Sequence, residues 1–593
     1  MEAVCLVALV LACVRLGRGL EAVLDLGLWD EADYLYRAFM LPVRGLPDPE
    51  WGPLYSLWYF ALSRVWEEPV ELFHANARLL LLLTTVAGYA FLRHAGARPW
   101  LALAGASVYL LSGAPHVLPR PTVLAALVIL AALIAAARVR SPERACALAG
   151  VGLLTASFAR PEAFLSFLLM SALLGALLAR GVWRERARWP SALGLAAAYG
   201  GVVLALVAVM GNPFGNTSNR RFYAFCQHFA DNYVRRTGFP VNPWGECDKA
   251  VAAAFGPVTT LGAAARSNPG ELLLHLRANV ARYPRESLRM FASGYGGLSP
   301  LPGRGQGVGH LLLLAVAVGL PAAVLARRWR RLGTALRQPA VTRLLVATAC
   351  VLLPVVASVV LIQPRQHYLV LQGLLVLAVL AALRASVEPA AAPGPGGWVP
   401  PVALAGVLLL SVPDLVQRQG GPGAVRRPQL DRLRAIHSLG LEARVGPGDS
   451  IGVLDAQGGL AVYLGAPYRR VPDWTKRARE SFTAYLRRER IDLVLLDGML
   501  RKHPRFAGDP EFEAFFSAPG AFGYATWRLP GTDAVLAFPD AWVSGETPRT
   551  ALSRPEPVPA VPRCSESLPA AESGGAAQAA PRPGCARLPS SHL

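Results

Sequence analysis

Apolar runs near the length of a bilayer crossing recur through the first two thirds of the chain. They fall at roughly Glu2 to Leu20, Ala77 to Leu92, Trp100 to Ser112, Thr122 to Ala137, Cys146 to Ala159, Ala163 to Ala179, Leu193 to Met210, His310 to Ala326, Leu344 to Ile362, Tyr368 to Leu383 and Trp398 to Leu410. This pattern predicts a polytopic α-helical membrane protein with about eleven transmembrane helices within residues 1–415. The first run has no basic residue ahead of it and no clear small-residue cleavage site, and reads as an uncleaved anchor. Two connections, 21–76 and 211–309, are long and not simply polar. Gly52 to Trp66 is rich in aromatic and aliphatic residues and predicts a helix lying in the membrane interface. Arg221 to Arg235 sets Phe222, Phe225, Phe229 and Tyr233 at helical spacing, and Glu271 to Arg282 does the same with Leu272, Leu276 and Val280.

Beyond the last run the period changes. Helical stretches at Leu430 to Leu439 and Phe482 to Glu489 alternate with apolar strands at Ser450 to Leu454 and Ile491 to Leu496, followed by Gly523 to Leu529 and Ala534 to Phe538 as a hairpin. Residues 428–540 therefore predict a small C-terminal α/β domain outside the membrane, and 545–593, rich in Pro, Ala, Ser and Gly, a disordered tail. Asp455-Ala456-Gln457-Gly458-Gly459 lacks a dinucleotide fingerprint and reads as a glycine-bearing turn.

Charge decides the orientation. The formal net charge is +20, but the arginines form no stripe with interleaved aromatics, which argues against a nucleic-acid partner. They concentrate in alternate loops, around Arg93, Arg138 to Arg144, Arg180 to Arg188 and Arg327 to Arg343. The excess of positive charge on cytoplasmic loops puts these inside, and the two long loops and the C-terminal domain on the extracytoplasmic, periplasmic face of an inner membrane. Of the eight cysteines, Cys5, Cys13, Cys146 and Cys350 fall in the apolar runs, Cys564 and Cys585 in the tail. Cys226 and Cys247 share an outer loop and are the expected disulfide.

Polar residues gather at the outer ends of the runs: Asp30, Glu31, Asp33, Glu50, His116, Arg120, Arg160, Glu162 and Arg365 to Tyr368. Carboxylates facing cations suit transfer of a group away from a phosphate, with a base for the acceptor and positive charge for the departing anion. Asp30 followed by Asp33 also reads as a helix N-cap with an acidic first turn.

Leu28-Trp29-Asp30-Glu31-Ala32-Asp33-Tyr34 resembles the first-loop motif of integral-membrane glycosyltransferases of the C-type fold, notably the protein O-mannosyltransferases and the aminoarabinose transferases acting on lipid A. Glu50-Trp51-Gly52-Pro53-Leu54-Tyr55 resembles their EKPPLY segment, Arg78-Leu79 their Arg-Leu pair, Arg160-Pro161 their RP turn, and Pro364 to Leu369 their late Arg/Tyr segment. The resemblance implies transfer of a sugar from a polyprenyl-phosphate donor to a lipid, glycan or protein acceptor; no cofactor is expected, no metal ligand is assigned, and a divalent metal stays open. Asp30 would be the general base with Glu31 beside it, and Glu50, Tyr34 and Tyr55 would contact substrate. The family's lysine is Trp51 here and its first proline Gly52, so contact with the donor phosphate falls to Arg365, His367, Tyr368, Arg160 and Arg78; Arg78 could instead pair with Glu68 or Glu71. The alternatives are an O-antigen ligase or polymerase, and a transporter or flippase.

Overall fold

The computed structural model describes residues 1–112, 120–215, 219–292, 304–365, 368–388, 398–413, 415, 427–477 and 479–544. His116, Gln366 and His367, the sequon at 216–218 and the tail from 545 lie outside them. A helix occupies each of the eleven expected apolar runs. Among the described residues six helices are long and apolar enough to cross a membrane: Pro69–His94, Ala163–Arg184, Arg186–Met210, Gly307–Arg327, Pro339–Leu361 and Val370–Val387. Pro99–Leu111, Pro121–Ala137 and Val399–Ser411 are shorter apolar helices, and Glu2–Gly17 and Pro142–Ser157 have 16 residues each.

Proline explains several boundaries that hydropathy placed too late. Pro69 opens its helix eight residues ahead of the expected start at Ala77, with the Glu68 carboxylate accepting from the backbone N–H groups of Val70 and Glu71. A proline in the first turn costs no hydrogen bond, because that N–H has no intrahelical partner anyway. Pro99, Pro121, Pro142 and Pro339 start helices in the same way.

The arginine-rich loops meet at one end of the bundle. Arg93 pairs with Glu2, Arg138 Nε donates to His94 Nε2 at 3.1 Å, and Arg343 Nη1 to the Arg140 carbonyl at 3.4 Å. At the other end the first loop touches both the long loop and the C-terminal domain. In the long loop, helices Arg220–Thr237 and Cys247–Phe255 enclose a small aromatic core around Phe225, Phe229 and Phe255. Cys226 and Cys247 are joined across it, their Cα atoms 5.4 Å apart.

The C-terminal domain is built on a five-stranded sheet, order β2-β1-β3-β5-β4. Its strands are β1 (Ile451–Leu454), β2 (Tyr468–Arg470), β3 (Leu493–Leu496), β4 (Tyr524–Arg528) and β5 (Val535–Pro539). β1 runs parallel to β2 and β3, while β3–β5 and β5–β4 are antiparallel. β2 is absent from the sequence expectation, since three residues, two of them arginine, carry no strand pattern. Alternation along β3 shows how the sheet is used: Leu493 and Leu495 join the apolar core continuous with the helical bundle, and Val494 and Leu496 join a second core with Phe482, Phe506, Phe512 and Phe515. The domain therefore shares its core with the bundle.

Candidate active site

Helix Asp30–Arg44 begins directly after Trp29, whose side chain caps nothing, and Asp30 is its first helical residue. The N-cap reading of Asp30 is thus corrected. Its carboxylate is 70% exposed and stands 3.4 Å from Arg220 Nη2. Successive helical residues point about 100° apart, and Glu31 turns the other way, into the protein. It is buried and accepts hydrogen bonds from the hydroxyls of both Tyr55 and Tyr59. Tyr55 in turn accepts from Asn76 Nδ2 at 2.9 Å, and Asn76 Oδ1 from Trp58 Nε1 at 2.7 Å. Helix Pro53–Leu62 therefore packs inward through Tyr55 and Tyr59, both fully buried.

Burial pushes the Glu31 carboxyl up to about 7, against the tyrosine hydrogen bonds and the charge of Arg120, which lower it, and with Asp30, which raises it. Below the ordinary glutamate value of 4.5 the group is protonated folded or unfolded and costs nothing; as pH rises through about 7 the unfolded chain ionises more readily, and stability is lost. Glu31→Gln removes this cost. Its melting temperature relative to the unsubstituted protein is expected to rise with pH, the gain smallest near pH 4.5 and largest at pH 8. A difference independent of pH would remove the buried titration of Glu31.

Glu50 sits buried in the turn Pro49–Trp51, where its carboxylate accepts from the backbone N–H of Arg220 at 3.2 Å. Arg220 Nη1 donates to the Glu50 carbonyl at 3.4 Å. Two guanidinium groups lie over Trp51, Arg220 at 3.7 Å and Arg37 at 4.0 Å from its ring centre. Gly52 has φ +59°, and a Cβ there would come within 2.9 Å of the Ala159 carbonyl oxygen. Proline, fixed near −65°, is excluded from that conformation, which accounts for the departure from the family segment.

Further cations complete the wall. Arg160 pairs with Glu162 at 2.8 Å and lies over the Tyr368 ring at 5.1 Å; burial would lower its pKa, but the neighbouring carboxylate holds it above the ordinary value. Arg365 lies over Trp244 at 4.7 Å and donates to Gln363, which is itself gripped by His228 and Asp231. Tyr34 is buried edge-on to Tyr55, with Arg220 5.8 Å from its ring centre.

Among the expected residues the structure thus gathers Asp30, Glu31, Tyr34, Glu50, Tyr55 and Arg160. Glu50, Tyr34 and Tyr55 are buried, the Glu50 carboxylate accepting from the Arg220 N–H and the Tyr55 hydroxyl donating to Glu31. Arg78 is not gathered: it pairs with Glu21, and not with Glu68 or Glu71. Arg37, Arg220 and Tyr59 were missed. Asp30, Asp33 and Arg37 do follow the i, i+3, i+7 spacing of one helix face, a legible signal for Arg37, whereas nothing in the sequence separates Arg220 from the other arginines. Among the described residues no group of three or more His, Cys, Asp or Glu is placed to hold a metal ion.

No protein-family model and no curated protein matches the chain. A crystal structure of ArnT from Cupriavidus metallidurans bound to undecaprenyl phosphate is similar to it, at 14% identity and a TM-score of 0.37, over 90% of this chain and 97% of that one.

Proposed function

We propose that the chain is a multi-pass membrane glycosyltransferase of the C-type fold, which moves a sugar from a polyprenyl-phosphate donor to an extracytoplasmic acceptor hydroxyl on the periplasmic face. The observation that carries this reading is the solvent-open Asp30 carboxylate beside Arg220, at the edge of a wall that also holds Arg37, Arg160 and Arg365. Asp30 takes the proton from the acceptor hydroxyl as its oxygen bonds to the anomeric carbon. The bond from that carbon to the phosphate oxygen breaks, its electron pair leaves with the polyprenyl phosphate, and the anomeric centre inverts. Arg160 and Arg365, with Tyr368, stabilise the departing phosphate, where positive charge is most effective. Glu31, Tyr55 and Tyr59 hold the Asp30 turn from beneath, and the order of the first-loop, EKPPLY-like and RP-like segments supports the same assignment.

The test is transfer in vesicles holding the purified protein, envelope lipids and a panel of polyprenyl-phosphate sugars, read by mass spectrometry. One polyprenyl phosphate released per sugar transferred is the expected result. Passage of intact lipid-linked sugar across the bilayer, with none consumed, would replace the enzyme with a transporter.

A further inference from the structure

The glycine-bearing turn that matches no nucleotide motif has a different task. It follows β1 and seats against the first loop. A Cβ on Gly459 would lie 2.1 Å from the Leu28 carbonyl oxygen, so only glycine permits this approach, two residues before Asp30. Gly458, at φ +68°, lies against Arg470, and a Cβ there would meet its guanidinium at 2.7 Å. Arg470 ends β2, is 7% exposed and pairs with Asp33, one turn along from Asp30. The rings of Tyr36 and Trp474, centred 5.5 and 5.4 Å away, flank its guanidinium. Two more ties reach the same loop: Tyr463 donates to the Gly27 carbonyl at 3.2 Å, and Asp25 accepts from the N–H groups of Gln429 and Leu430, at the start of helix Pro428–His437.

We propose that the C-terminal domain is a clamp on the first-loop helix, and that Arg470, through Asp33, is a positioning residue that holds Asp30 toward the arginine wall. The domain is then part of the catalytic apparatus although it contributes no reacting group. A helix start lacking a side-chain cap is prone to fray. Here the turn around Leu28 and the Asp33 pair supply the restraint from a segment more than 400 residues away. The activity arm of this inference rests on the transferase reading; the structural arm does not.

The experiment uses the full chain in vesicles. Arg470→Ala is expected to speed hydrogen exchange in the first turn of helix Asp30–Arg44 while leaving β3 protected as at present. It should lower kcat by about tenfold to a hundredfold, the scale of a misplaced reacting group, with KM for the donor within about twofold because the arginine wall is untouched. Arg470→Lys keeps the charge and should recover most of kcat. Asp33→Asn should reproduce Arg470→Ala, and the double variant should be no worse than either single one, since all break one link. Unchanged exchange in Arg470→Ala, unchanged kcat, or single effects that multiply would each overturn the clamp. Should the unsubstituted protein transfer no sugar, the transferase reading falls, and exchange alone decides the clamp.

Discussion

Asp30→Asn is expected to reduce sugar transfer at least about a hundredfold, the lower range for loss of a general base, with the fold and membrane level retained. Asparagine matches aspartate in shape and cannot accept the proton. Of the competing account, the cap is removed, because Asp30 is the first helical residue and not the cap of its helix, while its place in the acidic first turn stays. Its ion pair with Arg220 is open to solvent at the carboxylate, so the stability change should stay within about 1 kcal/mol. Initial rates in vesicles normalised to protein amount, together with a melting curve, check both parts. Near-normal turnover would take Asp30 out of the mechanism.

Arg220→Ala is expected to lower kcat/KM for the donor by about a hundredfold or more, on the scale seen when one stabilising donor is removed from a transition state. The guanidinium serves several contacts at once: it covers one face of Trp51, stands beside Asp30 and donates to the Glu50 carbonyl. The bond from its backbone N–H to the Glu50 carboxylate does not depend on the side chain and should survive. Arg220→Lys is the informative partner, because an ammonium keeps the charge but cannot stack flat on the indole while bonding at its edge; an intermediate value is expected. Donor saturation curves for the three proteins test this. A lysine variant no better than alanine would show that planarity matters more than charge, and an alanine variant with unchanged kcat/KM would remove Arg220 from the site.

The sequence by itself determined what depends on composition and period. Apolar runs gave the helices, since burying a backbone away from water leaves little alternative to the α-helix. The alternating arginine loops foretold the two ends, and the apolar run at residues 491–496 foretold a strand. Asp30 and Glu31 stood out because an acidic pair directly after an apolar run needs a reason. Local sequence could also have set the helix starts, had Glu68 and Pro69 been weighed as cap and first residue above hydropathy.

Only the tertiary structure decided which neighbours share a task. It turned Asp30 outward and Glu31 inward, although the two are adjacent and chemically alike, because Tyr55 and Tyr59 offer hydroxyls on one side only. It chose Arg220 among many arginines by bringing the long loop over Trp51, 169 positions away, and it seated Gly459 on Leu28. Such pairings leave no mark in local sequence: each rests on two side chains whose distance is fixed by the path of the chain between them, and no periodicity records that path.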